Sequence, residues 1–417
     1  METNNTISNS DARKIADLRI KEITTTITSP PYFDMKDYGS KNQIGFGQTY
    51  KQYLDDLQKV FQSIYESTKS CGTLWIVIDT FKSEGKVVPL PFDLAAKLSE
   101  IGWLLQDVII WKKDKTVPWS GNGFVQRKFE YILFFSKSEK FNYFKDRVKK
   151  YDTAHLKKWW VKYPERYNPK GKSLDEVWEY PIPTQGSWGD KYVRHFCPLP
   201  TDMIGNMIQL SSNEGDLVMD PFAGSGSVLS QAAYMGRNYF GVELNKKYIK
   251  MFEKYLKETH EEGSRKYKEF SLQNKEQAKF EELILNLRAL KFAKIIYKNL
   301  KIAKHQSSLI LVKITGKSQE QHKLIKVRYT LIDSSDKNEI LEALENSIKS
   351  PPLSKFGIEP EFEFLSSEDI NLEKLSLYGY TETNTHFSTG KIETLSQTGK
   401  ARIISDIFVS LKESDYE

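Results

Sequence analysis

The chain has 417 residues, 39% hydrophobic and 28% charged, with a net charge of +6; this predicts a globular protein of two or three domains with sizeable cores. No apolar run approaches the ~20 residues of a membrane-spanning helix, and two cysteines, Cys71 and Cys197, make neither a disulfide framework nor a zinc site, so no metal is expected. The polar start, Met1 to Ser10, lacks the apolar core of a signal peptide, which predicts a cytoplasmic location and no membrane partner. The mild positive charge permits a nucleic-acid partner without requiring one.

In chain order, the first clear element is a strand, Ile23–Thr28, β-branched throughout as a buried strand should be. It runs into Ser29-Pro30-Pro31-Tyr32, where two prolines remove backbone donors and fix φ. A Pro-Pro pair by itself is a stiff strand terminator, but a hydroxyl, a rigid carbonyl and an aromatic ring in succession suit the grip of a planar amino group. A helix over Tyr50–Thr68, a strand over Thr73–Ile78, a helix over Phe92–Ile101 and strands over Val108–Trp111 and Glu130–Phe135 follow. The loop between the last two is basic and glycine-containing. Lys112, Lys113, Lys115, Arg127 and Lys128 are candidates to meet phosphates, although each singly reads as a solvated charge.

Residues 136–194 break the rhythm with interleaved basic and aromatic side chains, among them Arg147, Lys157, Lys158, Trp159, Trp160 and Arg166. Such residues suit contacts to base edges or phosphates; the alternative is an ordinary surface insertion. A helix over Thr201–Leu210, a strand over Asp216–Met219, a helix over Ser227–Met235 and a strand over Tyr239–Val242 restore the alternation. Strand and helix in alternation predict a parallel, doubly wound α/β sheet, with ligands at the carboxyl ends of its strands. Past residue 260 a long charged helix (Asn274–Lys304), strands Leu309–Ile314 and Lys326–Ile332 and a helix near Asn338–Ile348 predict a separate C-terminal α+β domain, residues 261–417, with no catalytic motif and no assignable role.

The turn between strand and helix reads Asp220-Pro221-Phe222-Ala223-Gly224-Ser225-Gly226. Its glycines allow a tight turn and close backbone approach to a ligand, and the helix start presents free amides. A dinucleotide site is the competing reading, but the third glycine of that fingerprint is replaced by Leu229. Glu243 ends the next strand, where an acid is placed to bind ribose hydroxyls; without the glycine turn it would read as a helix cap.

The strings Thr28–Tyr32 and Asp220–Gly226, in that order, resemble the signature motifs of the β group of DNA amino-methyltransferases. The resemblance covers roughly residues 5–258. It implies a Rossmann-like S-adenosylmethionine-dependent methyltransferase domain over 1–260 with permuted motif order, residues 136–194 serving target recognition. It also implies a strand at Thr6–Ser10 that brings Asp11 to the adenine amino group. His195–Thr201, with its helix Asp202–Gln209, would close over the methionine end, with Thr201 a cofactor contact. The substrate implied is double-stranded DNA, and the setting a restriction–modification system with a cognate endonuclease but no stable complex; a homodimer stays open.

The chemistry accounts for the residue types. An exocyclic amine is a poor nucleophile because its lone pair is conjugated with the ring. The Ser29 hydroxyl and Pro30 carbonyl, held rigid by Pro31, can accept its two hydrogens and turn the lone pair toward the methyl group. Tyr32 offers a stacking face worth ~1–3 kcal/mol to an extruded base. Cytosine C5 chemistry would need a thiolate nucleophile in a Pro-Cys context, and neither cysteine has one. Serine at the first motif position is associated in the family mostly with cytosine N4; adenine N6 is the alternative. A reading from another class, a non-catalytic DNA-binding module retaining the fold, is opposed by the intact motifs.

Overall fold

A computed structural model describes residues 5–34, 42–114, 127–149 and 199–265 as continuous stretches, most of 170–192, and separate pieces elsewhere, including strands between 309 and 388. The chain divides into two compact units, Met1–Lys149 with Ser173–Leu272, and Lys150–Lys172 with Gln273–Glu417. Among the described residues no helix is long and apolar enough to cross a membrane.

In the first unit the described elements run β1 (Thr6–Asn9), β2 (Ile23–Thr28), α1 (Tyr50–Ser67), β3 (Thr68–Ile78), a small hairpin of β4 (Phe81–Ser83) and β5 (Lys86–Val88), and α2 (Leu90–Ile101). Next come β6 (Leu104–Lys112), β7 (Phe129–Ser136), β8 (Val177–Glu179), a short pair β9 (Ser187–Trp188) and β10 (Lys191–Tyr192), α3 (Thr201–Ser211), β11 (Leu217–Asp220), α4 (Ser227–Tyr234) and β12 (Asn238–Glu243). Residues 246–265 are again helical. Helix α1 begins on a capping box in which the Thr49 side chain accepts from Gln52 N and the Gln52 side chain accepts from Thr49 N.

Eight of these strands form one sheet in the order β1-β12-β11-β2-β3-β7-β6-β8. From β1 to β3 the neighbours are parallel. The expectation of a parallel sheet fails at β7, which is antiparallel to both β3 and β6. The reason is physical: Ile132–Phe135 is buried throughout, and a continuous apolar run buried on both faces carries no sign of direction. The architecture is a Rossmann-like mixed α/β sheet.

Both faces are covered. Met203, Ile208, Val228 and Leu229 from α3 and α4 pack on one side with Trp75, Val77 and Ile109. Tyr53, Leu57 and Phe61 of α1 and Leu94 of α2 pack on the other with Ile76, Ile78 and Leu133. Strand β2 carries four fully buried threonines. Three of their hydroxyls are satisfied by protein partners: Thr24 by Asp216 at 3.1 Å, Thr25 by Thr73 at 2.9 Å, and Thr28 by Asp220 at 2.7 Å, as buried polar groups require.

In the second unit β13 (Leu309–Lys317) pairs antiparallel with β14 (Ile325–Asp333), which pairs parallel with β15 (Ile358–Ser366); β16 (Thr381–Thr383) and β17 (His386–Ser388) form a hairpin. Both strands predicted here are present. β15 is an addition to them: its Pro360 argues against a central strand in sequence, and it lies at the sheet edge where proline is tolerated. The predicted helix near Asn338–Ile348 lies outside the described residues, as does most of Asn274–Lys304, of which positions 284, 285, 288, 289, 291 and 292 are described and helical.

Candidate active site

Strands β11 and β2 are parallel neighbours, yet the helices that follow them pack on opposite faces: α4 in one core, α1 in the other. A doubly wound sheet opens a crevice at such a switch point, outside the carboxyl ends of the strands. A cavity open to solvent lies there, where such a sheet binds its ligands. Its walls include Ser29, Pro30, Pro31 and Tyr32 from beyond β2, Asp220, Pro221, Phe222, Ala223 and Gly224 from beyond β11, Asp11 from beyond β1, and Glu243 from the end of β12. The two motifs, far apart in sequence, thus face one space.

On the β11 side, Asp220 is buried and accepts hydrogen bonds from the Thr28 hydroxyl at 2.7 Å and from Phe222 N at 3.0 Å. Burial pushes its carboxyl up to about 7, against the pull of those two bonds. The turn passes through the left-handed region at Gly224 (φ 54°) and Gly226 (φ 81°), where an L side chain is strained. Gly224 N donates to Glu243 Oε2 at 2.8 Å, and Asn245 N donates to Glu243 Oε1 at 2.7 Å. Burial raises the Glu243 carboxyl above the usual range.

Gly226 does not line the cavity; a Cβ there would fall 2.2 Å from the Phe252 ring, so its role is packing beneath the turn. Ser225 is buried outside the lining. Thr201, at the start of α3, borders a separate groove with Asp202 and Asn206. Asp11 faces the cavity, and its carboxylate is gripped by the Arg13 guanidinium at 2.6 Å, which also reaches Asp56 at 2.8 Å.

On the β2 side the Pro31 carbonyl accepts from the Tyr53 hydroxyl at 2.9 Å, so α1 fixes the double proline. The Tyr32 hydroxyl donates to Glu130 Oε2 at 2.9 Å, and Glu130 Oε1 is ion-paired with Lys113. Nearby, Asp79 lies 3.6 Å from Arg127; burial pushes its carboxyl up to about 6.

The candidate phosphate contacts divide. Lys112 pairs with Glu179 at 2.6 Å on the surface, Lys113 and Arg127 are engaged as above, and Lys128 is exposed. Arg147 donates to the Ser212 carbonyl at 2.8 Å and to Asn213 Oδ1 at 2.6 Å, closing the end of α3. Arg166 is exposed, 4.7 Å over the Tyr163 ring. Lys115, Lys157, Lys158, Trp159 and Trp160 lie outside the described residues.

Three further residues at the site are absent from the sequence expectations. Tyr248 and Asn245 line the cavity just after Glu243; the strand-to-helix change in Glu-Leu-Asn-Lys-Lys-Tyr is the available signal. Glu130 reads in sequence only as the start of a strand. Among the described residues no group of three or more acids, histidines or cysteines could hold a metal.

The arrangement suits an adenosyl ligand: apolar walls at Ile44, Pro221, Phe222, Val228 and Leu244, the half-buried Glu243 carboxylate held by backbone amides, and a glycine turn at its edge. Comparison with known proteins agrees. The type II methyltransferase M.Cfr9I of Citrobacter freundii is 28% identical over 252 residues, covering 54% of this chain and 77% of that protein. The orphan methyltransferase M.BamHII of Bacillus amyloliquefaciens is 30% identical over 248 residues, covering 56% and 89%. Among solved structures, the cytosine-N4-specific PvuII DNA methyltransferase overlaps with a TM-score of 0.47 at 16% identity over 64% of this chain and 92% of that one. TTHA0409 from Thermus thermophilus, complexed with S-adenosyl-L-methionine, overlaps with 0.43 at 24% over 61% and 94%. The pattern that defines the N6/N4 DNA methylase family matches residues 23–254, more than half of the chain and both cavity-lining loops, and the chain belongs to that family as a site-specific DNA methyltransferase using S-adenosyl-L-methionine.

Proposed function

We propose that the enzyme methylates the exocyclic N4 of a cytosine flipped out of double-stranded DNA, as the modification enzyme of a restriction–modification system. The observation that carries this reading is the single cavity walled by Ser29–Tyr32 on one side and Asp220–Gly224 with Glu243 on the other. Ser29, at the first position of the catalytic motif, supports cytosine over adenine.

Bound S-adenosyl-L-methionine supplies an electrophilic methyl group. Glu243 would hold the ribose hydroxyls with its carboxylate, Asp11 the adenine amino group, and the Gly224 turn the approach between them. The Ser29 hydroxyl and Pro30 carbonyl accept hydrogen bonds from the two N–H groups of the target amine and raise its nucleophilicity, and one of those protons leaves to solvent once the N–CH3 bond has formed; rigidity matters because preorganised acceptors need not reorganise during reaction. Tyr53 supplies that rigidity through the Pro31 carbonyl. Tyr32 stacks on the base and offsets part of the few kcal/mol that flipping costs. No side chain becomes covalently attached. Residues 136–194 select the target sequence, and residues 261–417 add DNA or subunit contacts without a catalytic group.

The test is transfer of tritiated methyl to unmethylated duplex DNA, followed by nucleoside analysis. The expected product is N4-methylcytosine. N6-methyladenine would overturn the base assignment and leave the family intact; no transfer would overturn the catalytic reading.

A further inference from the structure

We propose that Glu130 is a positioning residue for the flipped base: its carboxylate holds the Tyr32 ring in the stacking orientation while Lys113 neutralises it. The inference rests on the reading of Tyr32 as the stacking face. Strand alternation brings the groups together. Trp75 and Val77 on β3, Ile109 and Trp111 on β6, and Ile132 and Phe134 on β7 share one face of the sheet. Continued by two residues, the same faces carry Asp79, Lys113 and Glu130. Because β7 runs antiparallel to both neighbours, its first residues lie at the carboxyl edge of β3 and β6. A parallel strand would have delivered its opposite end. The reversal of β7 is therefore what places a carboxylate beside the catalytic loop.

The geometry is that of a support. Glu130 and Lys113 are 14% and 19% exposed, and a carboxylate so placed is costly unless paired. Lys113 pairs with Oε1 and also sits 5.0 Å from the centre of the Trp111 ring. Oε2 accepts from Tyr32 at 2.9 Å. At the other end of the same residue, the preceding carbonyl, Pro31 O, is held by Tyr53 at 2.9 Å. The tyrosine is thus fixed through its backbone and its hydroxyl, and it lines the cavity. Among the described residues, Asp79 and Arg127 also face this corner. A ring held at both ends has lost its rotamer freedom before the base arrives, so stacking need not supply that ordering.

The experiment uses the full chain, unmethylated duplex DNA and S-adenosyl-L-methionine, with Tyr32→Phe, Glu130→Leu, Glu130→Gln, the Tyr32→Phe/Glu130→Leu double variant and Tyr32→Ala. Calorimetric cofactor affinity near wild type establishes an intact fold for each. Tyr32→Phe and Glu130→Leu are each expected to lower kcat about tenfold, the effect of one hydrogen bond to a charged group. The double variant should be no slower than either single, since both remove the same bond. Glu130→Gln, which keeps an acceptor, should recover most of the loss. Independent, multiplying losses, or a Glu130→Leu enzyme within twofold of wild type, would overturn the inference. Should Glu130→Leu fail to fold, Tyr32→Phe carries the test: turnover within twofold of wild type would overturn it. A Tyr32→Ala enzyme with normal turnover would instead refute the stacking reading on which it rests.

Discussion

Asp220→Asn tests whether the buried carboxyl joining the two motifs is held neutral by its surroundings. Asp220 ionises near 3.8 in an ordinary setting and near about 7 in the fold, because burial outweighs its bonds from Thr28 and Phe222 and the Glu243 charge adds to it. The sign follows from linkage. Below about pH 4 the acid is neutral in folded and unfolded chains, and its burial carries no ionisation cost. Between about 4 and 7 the unfolded chain ionises first, so stability falls as pH rises. Above about 7 the loss levels off at 1.36 kcal/mol per pH unit of displacement, at most about 4 kcal/mol. Asparagine keeps an oxygen for Thr28 and Phe222 but cannot ionise. Its extra amide hydrogens carry their own cost, ~1–3 kcal/mol if unpaired, which does not depend on pH. The informative quantity is therefore the change in the stability gap between variant and wild type. In urea unfolding of the apo enzyme followed by tryptophan fluorescence, that gap should move in favour of the variant by about 2–3 kcal/mol between pH 5 and pH 8. A gap that stays flat, or moves the other way, would refute the argument.

Gly226→Ala should lower stability without touching the cavity wall: the left-handed backbone costs ~1–2 kcal/mol for an L side chain, and collision with the Phe252 ring costs a further ~1–3 kcal/mol. Thermal unfolding checks it, and an unchanged midpoint would contradict the packing role. Gly224→Val places a β-branched residue at φ 54° on the cavity wall and should abolish S-adenosyl-L-methionine binding by calorimetry; near-normal affinity in a folded protein would remove this loop from the cofactor site. A chain ending after Leu272, where the first compact unit ends, should still bind the cofactor, because the cavity-lining residues among those described lie upstream, while its DNA affinity or site selectivity falls. A folded truncation without cofactor affinity would require the domain division to be redrawn.

What could be read from sequence were positions that demand unusual backbone. Gly224, Gly226 and the Pro30-Pro31 pair announce turns that few other residues can make, and the strands entering them carry plain hydrophobic or β-branched patterns. Supports contributed from elsewhere in the chain were illegible. Tyr53 looks like one more apolar position of the amphipathic α1, and only the fold shows its hydroxyl on Pro31 O. Glu130 looks like the polar start of a strand, and its meaning depends on the direction of β7, which an apolar run does not encode. Arg147 illustrates the same limit: a basic residue in a basic, aromatic-rich stretch carries no sign that its guanidinium closes the end of α3.

The separation of the two motifs along the chain has no bearing on the chemistry, because the pairing of β2 with β11 sets them against each other across the cavity. That pairing is fixed at both ends by the same device. Thr24 donates to Asp216 at 3.1 Å at the irregularity that follows the Ile23–Leu217 pair, and Thr28 donates to Asp220 at 2.7 Å beyond the Thr26–Met219 pair. Past the register shift at Thr24, residues Thr26 and Thr28 fall on one side of β2 by alternation, and a slip of one residue would turn them to the opposite face. It would also break both bonds and leave Asp220 buried without its hydroxyl partner, an uncompensated cost of ~1–3 kcal/mol or more. The register that satisfies the two aspartates is the one that sets Ser29–Tyr32 against Asp220–Gly224. Polar residues in the middle of an otherwise apolar sheet thus do what hydrophobic burial cannot: they distinguish one alignment of the strands from its neighbours, and the site follows from that alignment.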